Sequence, residues 1–363
     1  MKLRVFEAFA GIGCQSMALR NLGIDYEVVG ISEVDKYALL TYDAIHNEQY
    51  DVELPSKEEM LKEFNEKHIA YDFSTNKSEI PKNEKDIIKL YQAHIRNKNY
   101  GDIRLINVEE LPKIDLFTYS YPCKNISIAG KQESLKEGSN TQSSLVWDCF
   151  KIIEYCRPKY LLMENVKNLV GKSHKPQFDL ICEKLENLGY NNYWKVLNGK
   201  DFGVPQNRER VMMMSIRKDV DNGKFKMPSG YPLTIRLRDI LQNEVDESHY
   251  KHKEYKLVNK GRVVAEFTKG NFDQGKRIYG IDDYFQTLSA KERGSNNILL
   301  DDGRVRRLTP IECWRLMGLS DEDFYKAKDV GLPQGKLYER AGRGIVIPML
   351  EEIFKNMMKN EEE

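Results

Sequence analysis

Two short segments of the chain carry residue types suited to covalent catalysis. Pro122 and Cys123 follow an apolar run at residues 114–121, and a second apolar run, at 160–163, leads directly to Glu164. A thiolate is a strong nucleophile, and a carboxylic acid at the end of a neighbouring strand can protonate the substrate that the thiolate attacks. We therefore predict that Cys123 and Glu164 act together. The alternative for Cys123 is a buried apolar thiol, which is the usual fate of a free cysteine.

A glycine turn and two acids form a second candidate group. The sequence AGIG at residues 10–13 follows one apolar run, and Glu33 follows the next. In a nucleotide-binding βαβ unit, such a turn approaches the ligand and an acid after the second strand binds the ribose. Glu33 is equally consistent with a surface acid. Asp102, in YGDI, is either a turn-forming residue or a second acidic contact to an adenosine group.

Two arginines precede the apolar run VMMMSI at 211–216. Because side chains alternate along a strand, Arg208 and Arg210 are predicted to share one face, where they can fix an acid or a carbonyl oxygen. An ion pair on an edge strand is the alternative.

The elements that must position these residues follow an α/β pattern. Strands that alternate with helices predict a mainly parallel sheet with right-handed crossovers and a ligand at its carboxyl edge. Residues 48–98 are dominated by Lys, Glu, Asn and Gln, which predicts a solvated, largely helical insertion. The predicted strands are 3–9, 26–32, 114–121, 160–163 and 211–216, and the predicted helices are 14–22, about 144–156 and about 177–188.

From about Lys218 the alternation stops and the sequence becomes irregular. Residues 251–315 hold fourteen Lys and Arg against nine Asp and Glu, a local charge of +5. Basic residues interleaved with aromatic residues suit contact with nucleic acid, although a solvated basic face with core aromatics explains the same pattern. The interleaved aromatic residues are Tyr255, Phe267, Phe272, Tyr279, Tyr284 and Phe285.

Composition bounds the class of protein. The 363 residues carry 56 basic and 56 acidic side chains, so net charge neither suggests nor excludes a polyanionic partner. Six cysteines without a CxxC pair, and an N-terminus without a cleavable signal, predict a reducing cytosol and no structural metal. No apolar stretch approaches the roughly 18 residues that span a bilayer, so we expect no membrane association.

Eight segments, taken in order, resemble the DNA (cytosine-5)-methyltransferase family. Each alone is a weak match, but eight in sequence across nearly the whole chain are specific. The resemblance implies an α/β, Rossmann-like, S-adenosylmethionine-dependent methyltransferase domain at 1–217 plus 335–363, and a smaller, irregular, β-rich target-recognition domain at 218–334. The segments are FAGIG (9–13), SEVDKYA (32–38), GDI (101–103), PCKNIS (122–127), ENV (164–166), QNRER (206–210), RRLTPIECWRLMG (306–318) and AGRGIVIP (341–348).

The resemblance implies a reaction and a set of site residues. Methyl transfer from S-adenosylmethionine to carbon 5 of a flipped-out cytosine, in a short specific sequence of duplex DNA, would proceed through a covalent adduct on Cys123, with Glu164 protonating ring nitrogen 3. Asn165, Arg208 and Arg210 would orient the acid and hold the base or the active-site loop. Phe9 and Asp102 would contact the adenine, and Glu33 the ribose. The implied cofactor residues are Phe9, Ala10, Gly11, Ile12, Gly13, Glu33, Val34, Asp102 and Pro122, and the implied DNA contacts are Ser127, Lys131, Thr287 and Leu288.

Three positions depart from the family's pattern. Lys124 stands where the family usually has Gln, Val34 where many members have an aromatic residue, and Arg343 where the family has the Asn that helps to hold the cofactor. The expected protein is a monomeric bacterial enzyme that acts on DNA in the cytoplasm, with a cognate restriction endonuclease left open as a separately acting partner. The alternatives are a transfer-RNA cytosine-5 methyltransferase and a DNA-binding relative without turnover, which Arg343 motivates.

Overall fold

The computed structural model describes residues 2–73, 75–122, 142–270, 273–289 and 296–360. The predicted division into a catalytic domain at 1–217 plus 335–363 and a target-recognition domain at 218–334 is a functional division, and it stays a prediction. By its internal contacts the chain divides into two compact units. Unit 1 comprises Met1–Leu197, Arg210–Pro228 and Leu350–Glu363, and unit 2 comprises Asn198–Glu209 and Ser229–Met349.

Unit 1 is an α/β unit in which strands and helices alternate. Its strands are β1 (Leu3–Ala8), β2 (Tyr26–Ser32), β3 (Tyr71–Asp72), β4 (Lys77–Ser78), β5 (Leu116–Tyr119), β6 (Tyr160–Val166), β7 (Tyr190–Asn198) and β8 (Glu209–Arg217). Its helices up to β8 are α1 (Cys14–Asn21), α2 (Lys36–His46), α3 (Lys57–Glu66), α4 (Glu84–Arg96), α5 (Val146–Cys156) and α6 (Lys175–Asn187).

The main sheet brings the carboxyl ends of its parallel strands to one edge. Among the described residues its order is β2-β1-β5-β6-β8-β7. β1 pairs in parallel with β2 and β5, β5 pairs in parallel with β6, and β8 runs antiparallel to β6. In such a sheet the ligand site lies outside the carboxyl ends, where β1 and β5 lead away in opposite directions.

Apolar side chains cover the sheet because its parallel strands are buried on both faces. One cluster joins β5 and β6 to α5 and α6, with Phe117, Trp147 and Phe178 among its members. The strands that lead to the carboxyl edge therefore rest on a packed core.

The charged segment at 48–98 has a buried side as well as a solvated one. It consists of α3, the β3–β4 hairpin and α4, and α3 begins with a capping box between Ser56 and Glu59. Met60, Phe64 and Leu90 of this segment are buried in one cluster with residues of β2 and α2. Helices α3 and α4 agree with the helical part of the prediction. The prediction of a solvated insertion needs a correction, since a helical stripe of apolar residues anchors the segment to the sheet.

Unit 2 contains the second sheet. Its order in the described residues is β13-β12-β11-β10-β9. Its strands are β9 (Tyr255–Lys260), β10 (Val263–Phe267), β11 (Arg277–Tyr279), β12 (Asn297–Leu299) and β13 (Val305–Arg307), and its helices are α7 (Asp273–Lys276), α8 (Pro310–Arg315), α9 (Asp321–Asp329) and α10 (Gln334–Arg343). The last helix, α11 (Ile347–Met358), leads from unit 2 back into unit 1.

Strand β6 is longer than the apolar run predicted. It ends at Val166 rather than at Met163, so Glu164 and Asn165 lie within the strand. Antiparallel pairing with β8 continues the ladder through Glu164 opposite Met212 and Val166 opposite Arg210. No helix in the described ranges is long and apolar enough to cross a bilayer.

Candidate active site

The turn after β1 has the backbone conformation that its glycines allow. Phe9, Gly11 and Gly13 all have positive φ, at 55°, 58° and 75°. Gly13 precedes α1, and a Cβ at this position would lie 2.3 Å from Nε2 of His46. His46 in turn lies 2.9 Å, Nε2 to O, from the carbonyl of Ile12. The turn is therefore fixed by close packing on α2.

Glu33 closes this turn from the end of β2. Its Oε2 accepts the N–H of Gly11 at 2.9 Å, and its Oε1 accepts the N–H groups of Val34 and Asp35, each at 2.8 Å. Burial, and after it the charge of Asp35, raises the pKa of Glu33 despite these hydrogen bonds. A carboxylate has about four lone-pair sites, so one remains for a ligand hydroxyl.

Asp102 is buried and already holds four donor groups. His68 Nδ1 lies 2.8 Å from Oδ2, and Arg104 donates its Nε, its Nη2 and its backbone N–H. Burial alone would raise the pKa of Asp102, but the hydrogen bonds from Arg104 and His68 hold that pKa below its usual value. Asp102 is thus an ionised acceptor whose lone pairs are occupied in the ligand-free protein.

Glu164 is paired with the arginine predicted to serve it. Arg210 Nε on β8 lies 3.0 Å from Glu164 Oε1 on β6, with 14% and 13% of the two side chains exposed. The antiparallel register of β6 and β8 brings the two residues together. One carboxylate oxygen is therefore fixed by Arg210, at the sheet edge where chemistry was predicted.

Asn165 holds the segment that leads to the predicted nucleophile. Its Nδ2 donates to the carbonyl of Tyr121 at 3.2 Å, and its Oδ1 accepts the N–H of Val166 at 2.8 Å. Ser143 Oγ donates to the carbonyl of Pro122 at 3.1 Å. Asn165 was expected to orient Glu164, but these hydrogen bonds fix the path of the chain into Cys123, which itself lies outside the described residues.

The two arginines of QNRER do not share a strand face. β8 begins at Glu209, so Arg208 precedes the strand. Arg208 is buried, and its Nη2 donates to the carbonyl groups of Gly342 and Gly344 at 3.0 and 2.8 Å. The prediction of one shared face was wrong because the apolar run does not show where pairing begins. Arg208 holds the backbone of the AGRGIVIP segment instead.

Arg343, the departure in that segment, lies in the last turn of α10. Its side chain is 54% exposed and forms an ion pair with Glu339, one helical turn earlier. An i,i+4 pair of this kind is an ordinary feature of a helix surface. Arg343 therefore has a structural partner that does not depend on a ligand.

The predicted DNA contacts in unit 2 differ in their exposure. Thr287 is exposed and donates its Oγ1 to the carbonyl of Asn207 at 2.7 Å. Leu288 is buried, and its N–H donates to Gln206 Oε1 at 3.1 Å. This burial favours a role for Leu288 in holding the loop. Ser127 and Lys131 lie outside the described residues.

Three of the six aromatic residues named for the basic segment are core residues. Phe267, Tyr279 and Phe285 are at most 6% exposed, whereas Tyr284 is partly exposed and lies under the Arg262 guanidinium, 4.3 Å from ring centroid to Cζ. The alternative of core aromatics therefore holds for these three residues. Phe272 lies outside the described residues.

Sequence reasoning missed a buried acid beneath the glycine turn. Glu7, on β1, accepts hydrogen bonds from Ser16 N–H and Oγ, each at 3.0 Å, and from Tyr42 Oη at 2.6 Å. Burial raises its pKa to about 7, although these hydrogen bonds favour the charged form. The signal was present, since Glu7 interrupts an otherwise apolar strand that must be buried.

Comparison with protein-family models gives a match over most of the chain. The family described as C-5 cytosine-specific DNA methylase matches residues 76–359. Among curated proteins, Type II methyltransferase M2.ScrFI of Lactococcus lactis subsp. cremoris is 41% identical, covering 99% of this chain and all of that protein. Orphan methyltransferase M.SssI of Spiroplasma monobiae is 31% identical, covering 97% of this chain and 96% of that protein.

Solved structures show the same fold at low identity. Dnmt2 methyltransferase of S. pombe superposes with a TM-score of 0.67 at 16% identity, with all of both chains covered. A putative DNA modification methyltransferase of an E. coli prophage gives a TM-score of 0.62 at 14% identity, again over both whole chains. The α/β fold predicted from the sequence is confirmed by these superpositions.

Proposed function

Since the chain belongs to the C-5 cytosine-specific DNA methylase family, we propose that it transfers a methyl group from S-adenosylmethionine to carbon 5 of a cytosine within a short, specific sequence of duplex DNA. The family and the reaction class are established by the match at 76–359 and by the 41% identity over nearly the whole chain. The cofactor, the covalent route and the roles of individual residues are the content of the proposal.

The residues at the carboxyl edge fit a nucleoside with an attached amino acid. Glu33 retains an acceptor site for ribose hydroxyl groups, and Phe9 beside it is partly exposed. The turn at 10–13 provides close backbone approach, as nucleotide sites require. When bound there, the sulfonium of S-adenosylmethionine supplies an electrophilic methyl group. Val34 and Pro122 are the remaining proposed contacts.

Cys123 supplies the nucleophile in this proposal. Carbon 5 of cytosine is a poor nucleophile in an aromatic ring, so the Cys123 thiolate forms a bond to carbon 6 while ring nitrogen 3 gains a proton. Carbon 5 of the resulting enamine then takes the methyl group. Loss of the carbon-5 proton to solvent then restores the double bond and expels Cys123 as a thiolate. Ring nitrogen 3 returns its proton to the carboxylate that donated it, so the protons balance.

Glu164 is the proposed proton donor to ring nitrogen 3. The ion pair with Arg210 fixes Oε1, and we assign the proton transfer to Oε2. Asn165 fixes the carbonyl of Tyr121, two residues before Cys123 in the sequence. This joint fixation of the acid and of the nucleophile's segment, from one strand, is the observation that carries the mechanism.

Duplex DNA must release the cytosine before Cys123 can reach carbon 6. Flipping the base costs about a few kcal/mol, and contacts to phosphate and sugar offset that cost. We assign these contacts to Ser127, Lys131 and Thr287, and sequence reading to residues 218–334. The relatives M2.ScrFI and M.SssI carry the names of a Type II and an orphan methyltransferase. For this chain, a separately acting restriction endonuclease and a monomeric state complete the proposal.

The substrate is tested by transfer of tritiated methyl groups from S-adenosylmethionine to unmethylated plasmid DNA, with total transfer RNA in parallel. Bisulfite sequencing of the plasmid then locates the modified cytosines. We expect label on DNA at one recurring short sequence. Label on RNA alone would overturn the choice of DNA, and binding of DNA without label on either would indicate a relative that has lost turnover.

The covalent route is tested by comparing two cysteine variants. Cys123→Ser is expected to abolish methyl transfer, by at least about a thousandfold, while DNA binding survives, because serine is not ionised at neutral pH. Cys156→Ser is the matched control, since burial raises the pKa of this thiol to about 11 and it lies on α5. Equal activity of Cys123→Ser and Cys156→Ser would refute the mechanism.

A further inference from the structure

The insertion at 48–98 is attached to both acids of the proposed cofactor site. In the β3–β4 hairpin, Tyr71 N–H donates to the carbonyl of Val34 at 3.3 Å, directly after Glu33. At the end of α3, the carbonyl of Lys67 accepts the N–H of Asp102 at 2.9 Å. The insertion therefore lies directly against the proposed cofactor site.

Three aromatic rings from this insertion gather beside Asp102. Tyr71 lies 4.7 Å from Phe73 between ring centroids, and His68 is stacked on Tyr71 at 5.2 Å with an interplanar angle of 26°. The guanidinium of Arg104, which holds Asp102, lies 4.4 Å from the centroid of Phe73. The planes of Tyr71 and Phe73 are tilted by 49° to each other, so an angled, partly apolar surface borders a buried carboxylate.

The rings beside Asp102 are accessible, unlike the apolar residues that anchor the insertion. Tyr71 and Phe73 are partly exposed and the His68 side chain is 36% exposed, whereas Phe64 and Tyr91 of the same insertion are 0% and 7% exposed. Rings that served only to pack the insertion would be buried like Phe64. Exposed aromatic faces beside an acceptor are the elements of a site for a planar base.

His68 demonstrates which kind of group fits this surface. Its imidazole, a planar nitrogen heterocycle, stacks on Tyr71 and at the same time lies 2.8 Å, Nδ1 to Oδ2, from Asp102. An adenine makes the same pair of contacts with its ring face and its exocyclic amino group. Asp102 already accepts from four donors, so the adenine amino group must displace one of them. His68 is the donor to displace, because it contributes one donor group to Asp102 whereas Arg104 contributes three.

We propose that Tyr71 and Phe73 form the wall on which the adenine of S-adenosylmethionine stacks, with its amino group taking the place of His68 on Asp102. Val34 is aliphatic and offers no stacking face, so the insertion supplies the aromatic surface that the turn after Glu33 lacks. This inference rests on the proposed use of S-adenosylmethionine. It gives the insertion a function. His68 then occupies the position that the adenine takes when the cofactor binds.

The test measures dissociation constants for S-adenosylhomocysteine by calorimetry on the full chain. Tyr71→Leu and Phe73→Leu are each expected to weaken binding about tenfold, which lies within the range for loss of one aromatic stack. Tyr50→Leu is the matched control, because Tyr50 belongs to the same insertion, is 57% exposed and has its backbone carbonyl bound by Arg96. Its affinity should equal that of the wild type.

Two further variants separate stacking from packing. Tyr71→Phe keeps the aromatic ring and should keep wild-type affinity. This variant still tests the stacking contact if Tyr71→Leu does not fold. His68→Ala frees an acceptor on Asp102, so it should bind S-adenosylhomocysteine at least as tightly as the wild type. The adenosine fragment 5′-methylthioadenosine should show the same ratios between variants, because the contacts are to its adenine.

The outcomes distinguish this inference from the proposed function. Wild-type affinity in both Tyr71→Leu and Phe73→Leu, at unchanged Tm, would overturn the inference, as would a tenfold loss in His68→Ala. If the wild-type chain does not bind S-adenosylhomocysteine, both proposals fail. If the variants behave as expected but neither DNA nor RNA is methylated, the adenine wall stands and only the proposed reaction fails.

Discussion

Glu7 links the glycine turn at residues 10–13 to the core through a single buried carboxyl group. Helix α1 has no side-chain cap of its own, because Gly13 occupies its N-cap position. Glu7 on β1 accepts the N–H of Ser16 in the first turn of α1 and so replaces that cap from a neighbouring element. Tyr42 on α2 completes the carboxyl group's partners. One residue therefore connects three elements that meet under the turn.

Titration of Glu7 should be visible in the pH dependence of stability. Its pKa is about 7 in the folded chain, raised by burial from 4.5, so the folded state binds more protons between these values. The stabilising contribution of protonated Glu7 is complete below about pH 4.5 and is lost as pH rises to about 7. In Glu7→Gln this loss, about 3 kcal/mol over the window, should be absent.

Urea unfolding at intervals from pH 4.5 to 8 measures this difference. Glu154→Gln, which changes an exposed acid on α5, is the control and should keep the wild-type profile. Parallel profiles for the wild type and Glu7→Gln would show that Glu7 does not titrate in this range.

Some site residues were predictable from the sequence and others were not. Glu164 and Arg210 were assigned to each other, and they form an ion pair at 3.0 Å. The partners of Asn165 and Arg208 were not foreseen, because a hydrogen bond to a backbone carbonyl leaves no pattern in the sequence. Sequence shows which side chains can do chemistry, whereas the structure shows what each one touches.

The glycine turn is an element whose shape depends on the helix beside it. At Gly13, φ is 75° and an added Cβ would lie 2.3 Å from His46 Nε2 and 2.7 Å from Tyr42 Cε2, both on α2. At Gly223, φ is 73° and an added Cβ would meet nothing within 4 Å. The two positions thus share backbone strain and differ in packing.

Alanine substitution at these two glycines separates strain from packing. Both variants carry the cost of a left-handed residue, about 1 kcal/mol. Gly13→Ala should lower the free energy of unfolding by about 1–3 kcal/mol more than Gly223→Ala, since His46 or Tyr42 must move. Chemical denaturation of both proteins gives the comparison. If both variants lose the same free energy of unfolding, α2 moves at no cost and does not shape the turn.

Strand and helix positions followed closely from apolar periodicity. The prediction for β2 coincides with the observed strand, and β1, α1 and β8 agree within two residues at each end. The buried side of the insertion escaped notice because Met60 and Phe64 stand among many charges. Their burial depends on contacts with β2 and α2, distant in sequence, which local composition does not reveal.

At the scale of the whole molecule, the net charge of zero includes charges that pair inside the protein, as in a buried ion pair of unit 2. Arg306 donates two hydrogen bonds to Glu312, at 2.8 and 2.7 Å, and the two side chains are 2% and 0% exposed. Glu312 also accepts the N–H groups of Thr309 and Gln242. One of the fourteen basic residues counted in 251–315 is therefore structural and is not available to phosphate, while its pairing with Glu312 leaves the local charge of +5 unchanged.

Removal of one partner should show how much unit 2 depends on this pair. Arg306→Met leaves the Glu312 carboxylate buried without its cation, so we expect a loss of about 3–5 kcal/mol. Arg304→Met is the matched control, because the Arg304–Asp302 pair is 58% and 48% exposed and should contribute little. Limited proteolysis should cut unit 2 faster in Arg306→Met. Similar stabilities of the two variants would contradict this account.

The division of the sequence between the two units has a consequence for biosynthesis. The ribosome releases residues 350–360, the last piece of unit 1, only after all of unit 2. The Asn360 side chain then accepts the N–H of Asn222 at 3.0 Å and donates to the carbonyl of Val220 at 2.7 Å. Because domains tend to fold as their residues emerge, a nascent chain completes unit 2 while unit 1 still awaits its closing helix. Unit 1 is thus completed last, although every strand of its main sheet is translated before residues 229–349 of unit 2.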